Sequence, residues 1–354
     1  MTQRERDLRI TQVALSRGFG GAERYFVDLC LALARRGYPV QAICPRNSDC
    51  HRLLTGQDAG ASLQLVPVTV LGAWDRFSVR AIRNAMRRFS PDIVHTHMAR
   101  GSLLGGRAAA GPGIPVVTTL HANAQLKYYR FVDRFDVITT RQREYLLSEG
   151  IPAGRMEWIP NFSALNPVTG RRRSGSHPLR WLAYGRFVPK KGFDLLLDAF
   201  ARVAGSDPDA RLCLAGDGPC RSALLEQIHR LGIGDRVDLV GWVDDVRGLL
   251  ADADVFVLPS LVEPFGIVLL EAMACGVPIV ASRTDGPLDV LDETTAWLCA
   301  VGDVGDLARA MEQAGASEAG RAARAEAALE RYRSRYHEDA VVPRLLDFYR
   351  ATRG

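Results

Sequence analysis

The sequence predicts an α/β protein of two doubly wound parallel-sheet domains followed by a helical tail. Three observations carry this reading. The chain has 354 residues, the length of two ordinary domains rather than one. Short, continuous apolar runs rich in β-branched residues alternate with helix-period segments along nearly its whole length, which is the pattern of parallel sheets covered on both faces. The alternation breaks once, over 166–178, where a polar Pro/Gly/Ser-rich stretch without period reads as a linker.

In the first half, strands are expected at 8–15, 39–44, 63–68, 92–97, 115–121, 136–139 and 156–160, each a short apolar run bounded by turn residues. Helical periodicity fills 22–36, 79–89 and 142–148. In the second half, strands are expected at 180–184, 211–215, 237–240, 255–259, 278–282 and 296–298, separated by helices at 193–203, 222–231, 267–274 and 307–314. Beyond Ala316 the chain is Ala/Arg/Glu-rich and reads as helical to near its end. The expected domains are therefore 1–163, a linker over 164–178, 179–316, and a helical segment over 317–354 whose expected course crosses back to the first domain. Ligands in such sheets bind beyond the carboxyl ends of the strands, which puts the expected site in a cleft between the domains.

Composition narrows the function classes. At 47% hydrophobic and 24% charged residues, the chain is neither disordered nor fibrous. No stretch approaches the roughly 18 uninterrupted apolar residues of a membrane span, and the start leads into a strand-like run rather than a signal-peptide core. The seven cysteines are scattered and never spaced C-x-x-C, which fits small core residues in a reducing cytoplasm. The net charge of +5 hides an asymmetry: residues 1–178 carry +12 and residues 179–354 carry −7. No aromatic-interleaved basic stretch or nucleic-acid-reading motif accompanies the basic half, so nucleic acid is not an expected partner. Three lysines (Lys127, Lys190, Lys191) stand against 42 arginines, so two adjacent lysines are conspicuous.

Two segments carry chemistry. The first strand runs into Ser16-Arg-Gly-Phe-Gly20-Gly21-Ala-Glu-Arg and then a helix; its glycines allow close backbone approach, and a helix start offers free N–H groups to an anion. It is neither a G-x-G-x-x-G nor a Walker loop and reads equally well as an ordinary turn. The second and richer segment runs from 253 to 282. A buried strand ends at Pro259-Ser260, Glu263 follows in a turn, Gly266 opens a helix, and Glu271 lies in its second turn. Two carboxylates beside the N–H groups of Gly266, Ile267 and Val268 suit a ligand with both hydroxyls and phosphates. Glu271 sits among Leu269, Leu270, Ala272 and Met273, so its carboxylate needs a partner.

The spacing of Glu263 and Glu271 within Pro-Ser-x-x-Glu-Pro-Phe-Gly-x-x-x-x-Glu-Ala-Met-Ala-x-Gly-x-Pro-x-Val resembles the retaining GT-B glycosyltransferases of the GT4 type. Supporting matches are Gly20-Gly21-Ala-Glu-Arg, Asp92-Ile-Val-His-Thr-His97, Thr118-Thr-Leu-His121, Ile159-Pro-Asn161, Gly185-Arg186 with Lys190-Lys191-Gly192, and Leu214-Ala-Gly-Asp-Gly218. The resemblance covers nearly all of 8–300 in order. It implies a GT-B fold, two Rossmann-like domains facing a cleft, and transfer of a sugar from a nucleotide-diphospho-sugar, UDP- favoured over GDP- or ADP-. By motif position it assigns Arg186 and Lys191 to the diphosphate, Glu271 to the ribose hydroxyls, Glu263 to hydroxyls of the transferred sugar, the Phe265–Val268 amides to sugar and phosphate, Gly20 and Gly21 to the approach from the first domain, and His121 to the sugar near the reacting centre. Fixed cations then do the work of a metal, so no metal and no cofactor is expected. His121, Arg186, Lys191 and Glu263 are the expected catalytic residues.

His97 and Arg100 are the expected acceptor-side residues. His95 and His97 are read as pointing to opposite faces of their strand and so as poor partners for one metal; His95 is read as a core residue. Asp252-Ala-Asp254 superficially matches a metal motif of another transferase fold, but its place before a strand favours a polar pair at a helix end. Thr284-Asp-Gly-Pro-Leu-Asp289 departs from the family's commoner Gly-Gly-x-x-Glu and is similar to lipopolysaccharide-core transferases. Phe162 stands where Gly is frequent, and Thr139-Thr-Arg141 where Ser is usual. The basic first half, with Arg83, Arg87 and Arg88 on one helix and Arg100 and Arg107 nearby, implies a glycolipid or oligosaccharide acceptor and peripheral contact with the inner face of the cytoplasmic membrane. Two other readings share the architecture: a nucleotide-sugar epimerase, which leaves Glu263 with Glu271 unexplained, and an inactive nucleotide-sugar-binding protein, against which the intact Arg186, Lys191, Glu263 and Glu271 argue.

Overall fold

The structure, a computed structural model, describes residues 8–18, 20–56, 62–72, 75–122, 125–169 and 178–353. The chain divides into two compact units, residues 1–164 with 338–354 and residues 165–337.

The first unit is a seven-stranded sheet: β1 (Ile10–Ala14), β2 (Val40–Pro45), β3 (Leu63–Val68), β4 (Ile93–His97), β5 (Val116–Leu120), β6 (Arg134–Val137) and β7 (Met156–Trp158), in spatial order β3-β2-β1-β4-β5-β6-β7 with every pair parallel. Its helices are α1 (Gly21–Arg35), α2 (Asp49–Thr55), α3 (Arg76–Phe89), α4 (Met98–Ala110) and α5 (Thr140–Ser148). Val13, Ile82, Met86, Leu104 and Phe135 belong to its core. Period-2 alternation splits the roles along β4: Val94 and Thr96 face α4, where Thr96 and Thr118 share Ser102, while His95 and His97 face the opposite side.

The second unit is a six-stranded parallel sheet: β8 (Arg180–Tyr184), β9 (Arg211–Ala215), β10 (Val237–Val240), β11 (Val255–Leu258), β12 (Ile279–Ser282) and β13 (Trp297–Cys299), ordered β10-β9-β8-β11-β12-β13. Around it lie α6 (Phe193–Ser206), α7 (Arg221–Leu231), α8 (Val246–Ala251), α9 (Ile267–Ala274), α10 (Asp285–Val290), α11 (Val304–Ala316) and α12 (Glu318–Arg331). Trp181, Phe187, Phe200, Leu214 and Met311 fill its core. Asp254 accepts a hydrogen bond from the Arg180 N–H at 2.9 Å and Asp252 closes α8, so this pair does structural work at the start of β11.

Two boundaries differ from the expected ones. Residues 165–168 are anchored in the second unit: Val168 donates to the Ala274 carbonyl, Arg333 donates to Val168, and the Tyr332 hydroxyl donates to Leu165. Residues 170–177, the middle of the expected linker, lie outside the described residues. The helical tail is divided. α12 and a π-helical turn at Tyr332–Tyr336 stay with the second unit, while α13 (Glu338–Arg353) belongs to the first, where Arg35 and Arg36 bind Glu338 and Arg344 donates to the Trp158 carbonyl. Four helices were not visible in the periodicity. α2, α8 and α10 span only six or seven residues, and α4 carries Gly101, Gly105 and Gly106, whose missing side chains let it lie against β1 and Phe131.

Candidate active site

In the second unit the strand order reverses between β8 and β11, so the loops leaving these neighbours open a crevice at the carboxyl edge of the sheet. Residues 185–192 leave β8 and residues 259–266 leave β11. Two hydrogen bonds, from the Leu261 and Val262 N–H groups to the Lys190 carbonyl, tie the loops together. Gly192 completes the junction. Its φ is +65°, and a Cβ there would lie 2.2 Å from the Pro259 carbonyl oxygen, so no side chain fits.

The junction sets Lys191 beside Glu263. Its Nζ donates to Glu263 Oε2 at 2.5 Å, with the two side chains only 17% and 9% exposed. Ser260 adds a longer hydrogen bond to the same oxygen, and the Gly286 N–H at the start of α10 holds the Glu263 carbonyl. Removing one member of so enclosed a pair leaves an uncompensated charge.

Gly266, at φ +90°, turns the chain from Glu263 into α9. The N–H groups that begin a helix have no partner inside it, so those of Ile267 and Val268 face outward from the helix start. Five residues into α9, the Glu271 carboxylate is buried between apolar neighbours, and the Tyr184 hydroxyl at the end of β8 donates to its Oε2 at 2.7 Å. Tyr184 is the partner this carboxylate requires. Arg186 is exposed in the β8 loop, and no hydrogen bond or ion pair engages its guanidinium among the described residues.

In the first unit, Gly20 stands just before α1 and Gly21 is its first residue; Phe19 lies outside the described residues. Ser16 donates to the buried Glu23 carboxylate and ties this loop to the helix. Met98, held at a left-handed φ of +61°, turns the chain sharply from β4 into α4 and leaves His97 as the last strand residue. His121 follows β5, and its Nε2 meets His97 Nδ1 at 3.0 Å.

The family model described as "Glycosyl transferases group 1" matches residues 173–331, and that for "Glycosyltransferase Family 4" matches residues 19–164. The lipopolysaccharide core biosynthesis glycosyltransferase LpsE of Rhizobium meliloti is 32% identical over 300 residues, covering 83% of this chain and 85% of its own. The chain belongs to the group 1 glycosyltransferases. LpsD of the same organism, also a lipopolysaccharide core biosynthesis glycosyltransferase, is 29% identical over 341 residues, 93% of this chain and 95% of its own. Among solved structures, Anabaena HepE in complex with UDP-glucose superimposes with a TM-score of 0.83 at 20% identity, over 97% of this chain and 100% of that one, and has the same GT-B fold.

Within this glycosyltransferase, Lys191, Glu263, Phe265, Gly266, Ile267, Val268 and Glu271 come together at one edge of the second unit, with Arg186 in the adjoining loop. Two sequence readings need correction. His95 and His97 share a face, because residues two apart on a strand do, and their rings stack 4.4 Å apart. His97 is fully buried, with Nδ1 on His121 and Nε2 on Gln12 Oε1 at 2.8 Å, so it is an interior residue with no surface to offer an acceptor. Arg100 is exposed on α4. Sequence reasoning did not find Tyr184 or Ser260; the apolar surroundings of Glu271 were the signal that a partner existed.

Burial lowers all three histidines, His95 and His121 to about 3 and His97 well below its usual range, with neighbouring imidazoles adding to the effect at His95 and His97. The unfolded chain then binds more protons than the folded one below about pH 6.5. Stability is present above that pH and is lost as pH falls toward 3. Asp136, pushed well above the carboxylate range by burial, acts in the opposite sense, losing stability as pH rises above about 4. The other groups facing the histidines, Tyr25 of α1 and Tyr349 of α13, stay neutral across this range. Three histidines against one carboxyl leave stability falling as pH drops from about 6.5 toward 5. Differential scanning calorimetry from pH 7 to pH 5 is expected to show a falling melting temperature for the first unit; an unchanged value would contradict neutral histidines.

Proposed function

We propose that this glycosyltransferase is a retaining enzyme that moves a sugar from a nucleotide-diphospho-sugar to a hydroxyl of a lipopolysaccharide-core glycolipid. The observation that carries the reading is the Lys191–Glu263 pair at the switch point of the second sheet, with Glu271 eight residues further on and held by Tyr184. Arg186 and Lys191 neutralise the departing diphosphate, Glu271 accepts from the ribose hydroxyls, Glu263 from hydroxyls of the transferred sugar, and the first amides of α9 meet sugar and phosphate. His121 contacts the sugar. The departing phosphate and the acceptor hydroxyl share one face of the sugar, so the phosphate assists deprotonation and configuration is kept. These cations supply the positive charge, so the reading includes no divalent ion.

Supporting a UDP donor, HepE is described in complex with UDP and with UDP-glucose. Supporting a core-oligosaccharide acceptor, both Rhizobium relatives carry lipopolysaccharide core names. The test is a thermal-shift screen of UDP-, GDP- and ADP-sugars in EDTA, followed by transfer assays. A UDP-sugar at about 100 times its Kd should stabilise the protein by about 2.7 kcal/mol, and Glu271→Gln should remove most of that shift at the same concentration. Stabilisation by a GDP- or ADP-sugar instead would overturn the UDP assignment.

The reading extends to peripheral contact with the inner face of the cytoplasmic membrane. Among the described residues no helix is long and apolar enough to cross a bilayer. Along the outer side of α3, Arg76, Arg80, Arg87 and Arg88 are exposed beside Phe77, which is 81% exposed, with Leu71 in the preceding loop at 78%. Arg83, expected on this face, instead donates to the Arg107 and Ala108 carbonyls. Each exposed base adds on the order of 1 kcal/mol at an anionic surface. The protein is expected to sediment with phosphatidylglycerol vesicles at low salt, and the triple variant Arg80→Glu/Arg87→Glu/Arg88→Glu to stay in the supernatant; equal pelleting of both would remove α3 from the contact.

A further inference from the structure

One face of the first sheet buries a row of polar side chains that the reaction scheme does not use. Strand register sets Gln12 beside His95, His97 beside Thr119, and Thr119 beside Asp136. Residues two apart share a face, so these side chains line up, and α13 brings Tyr349 into the same row. All six are 0% exposed.

Their hydrogen bonds form one chain. His121 Nε2 meets His97 Nδ1 at 3.0 Å, and His97 Nε2 meets Gln12 Oε1 at 2.8 Å. Gln12 Nε2 donates to the Tyr349 hydroxyl at 3.1 Å, which meets His95 Nδ1 at 2.5 Å. His95 Nε2 meets the Thr119 hydroxyl at 2.8 Å, and Thr119 donates to Asp136 Oδ2 at 2.8 Å.

The direction is set at Asp136 and passed along the chain. Thr119 donates to Asp136 Oδ2, the carbonyl oxygen of a carboxyl whose own proton sits on Oδ1, so it accepts from His95, which carries its proton on Nε2. His95 Nδ1 then accepts, and Tyr349 donates to it. Tyr349, donating to His95, accepts from Gln12 Nε2, which turns the Gln12 amide oxygen toward His97, so His97 carries its proton on Nε2. His97 Nδ1 is therefore an acceptor, and the His121 proton must sit on Nε2. No hydrogen bond among the described residues reaches His121 Nδ1.

We propose that this chain fixes His121 as the Nε2–H tautomer, so that its Nδ1 is a bare acceptor that takes a hydrogen bond from a sugar hydroxyl and repels an anionic group. Gln12, His97, Tyr349, His95, Thr119 and Asp136 are positioning residues. The chain does not carry protons, because an amide at Gln12 passes on orientation and not a proton. The inference rests on the reading of His121 as the sugar contact, which it deepens: His121 faces a hydroxyl and not the diphosphate.

The tautomers can be read without substrate, by long-range ¹H–¹⁵N correlation on the full chain labelled at histidine, with His121→Asn identifying the His121 signals. His95, His97 and His121 are expected in the Nε2–H form. Thr119→Val, nearly isosteric, should shift His95 and His121 to mixed tautomers and lower kcat about tenfold with the KM for donor little changed, while Thr119→Ser should restore both. Tyr349→Phe should act as Thr119→Val does, at the middle of the chain. An Nδ1–H form of His121 in the parent, or unchanged tautomers in Thr119→Val and Tyr349→Phe, would overturn the proposal. If the tautomers are as expected but His121→Asn turns over normally, the chain stands and the sugar contact falls.

Discussion

Replacing Lys191 by alanine is expected to lower kcat/KM by about 10³ or more and to destabilise the second unit by about 3 kcal/mol. Both effects have one origin. Lys191 Nζ lies 2.5 Å from Glu263 Oε2 in surroundings that leave the two side chains 17% and 9% exposed. Removing the ammonium strands a carboxylate there, and breaking a buried pair from one side costs about 3–5 kcal/mol, the lower figure suiting a pair that keeps some solvent. In the proposed reaction the same ammonium stabilises charge on the departing diphosphate, and loss of one such fixed group costs about 10²–10³ in rate. Poorer donor binding adds to this in kcat/KM. The double variant Lys191→Ala/Glu263→Ala separates the two effects: chemical denaturation should show most of the stability recovered, while transfer stays absent. Recovery of transfer in the double variant would remove both residues from the chemistry. Lys191→Arg should keep the fold and recover little activity, because a planar guanidinium does not replace a compact ammonium in a site this close.

The second large effect is expected at a residue with no side chain. Gly192→Ala places a methyl group 2.2 Å from the Pro259 carbonyl oxygen, at a backbone φ of +65°. The left-handed conformation alone costs about 1–2 kcal/mol, and the overlap with backbone has no flexible group to give way. A total loss of about 3–5 kcal/mol in denaturant midpoint analysis is expected. Relief of the overlap means separating the β8 loop from the β11 loop, which also draws Lys191 away from Glu263, so activity should fall further than stability explains. Gly205→Ala is the matched control: it lies in α6 with nothing within 4 Å of the new methyl, and should stabilise by about 0.5–1 kcal/mol with activity unchanged. Similar behaviour of the two variants would show that the junction is not a close approach.

The fold was largely legible because parallel strands buried on both faces leave continuous apolar runs. β3, β8, β9, β10 and α9 lie where the pattern placed them, to the residue. The hidden elements have physical reasons. α2, α8 and α10 are too short to complete the two turns that reveal a period, and the glycines of α4 imitate a loop while serving a close contact. The division of the tail was also invisible. α12 and α13 are both Arg/Glu-decorated helices, and nothing local tells that a π-helical turn at Tyr332–Tyr336 marks the change of unit.

Much of the candidate site was legible as well. Glu263, Glu271 and Lys191 stand out because carboxylates in or beside an apolar segment, or lysines in a chain of arginines, are conspicuous in one dimension, and Arg186 stands out only through the family resemblance. Their partners are not conspicuous. Tyr184 lies 87 residues from Glu271, and Ser260 is an ordinary strand-end serine. The histidines differ from the expectation: His95 and His97, two apart on β4, share the face on which they stack, and burial makes His97 a link to His121 and not a surface residue.

By itself, then, the sequence determined the strands and most of the helices, the family, and which charged groups gather at the carboxyl edge of the second sheet, since periodicity, glycine placement and carboxylate spacing are local properties. Tertiary structure alone decided which groups pair. Lys191 meets Glu263 across 72 residues, and His95 meets Tyr349 across 254. A buried polar atom is satisfied by whatever the fold brings within about 3 Å, and sheet register, not sequence distance, makes that choice.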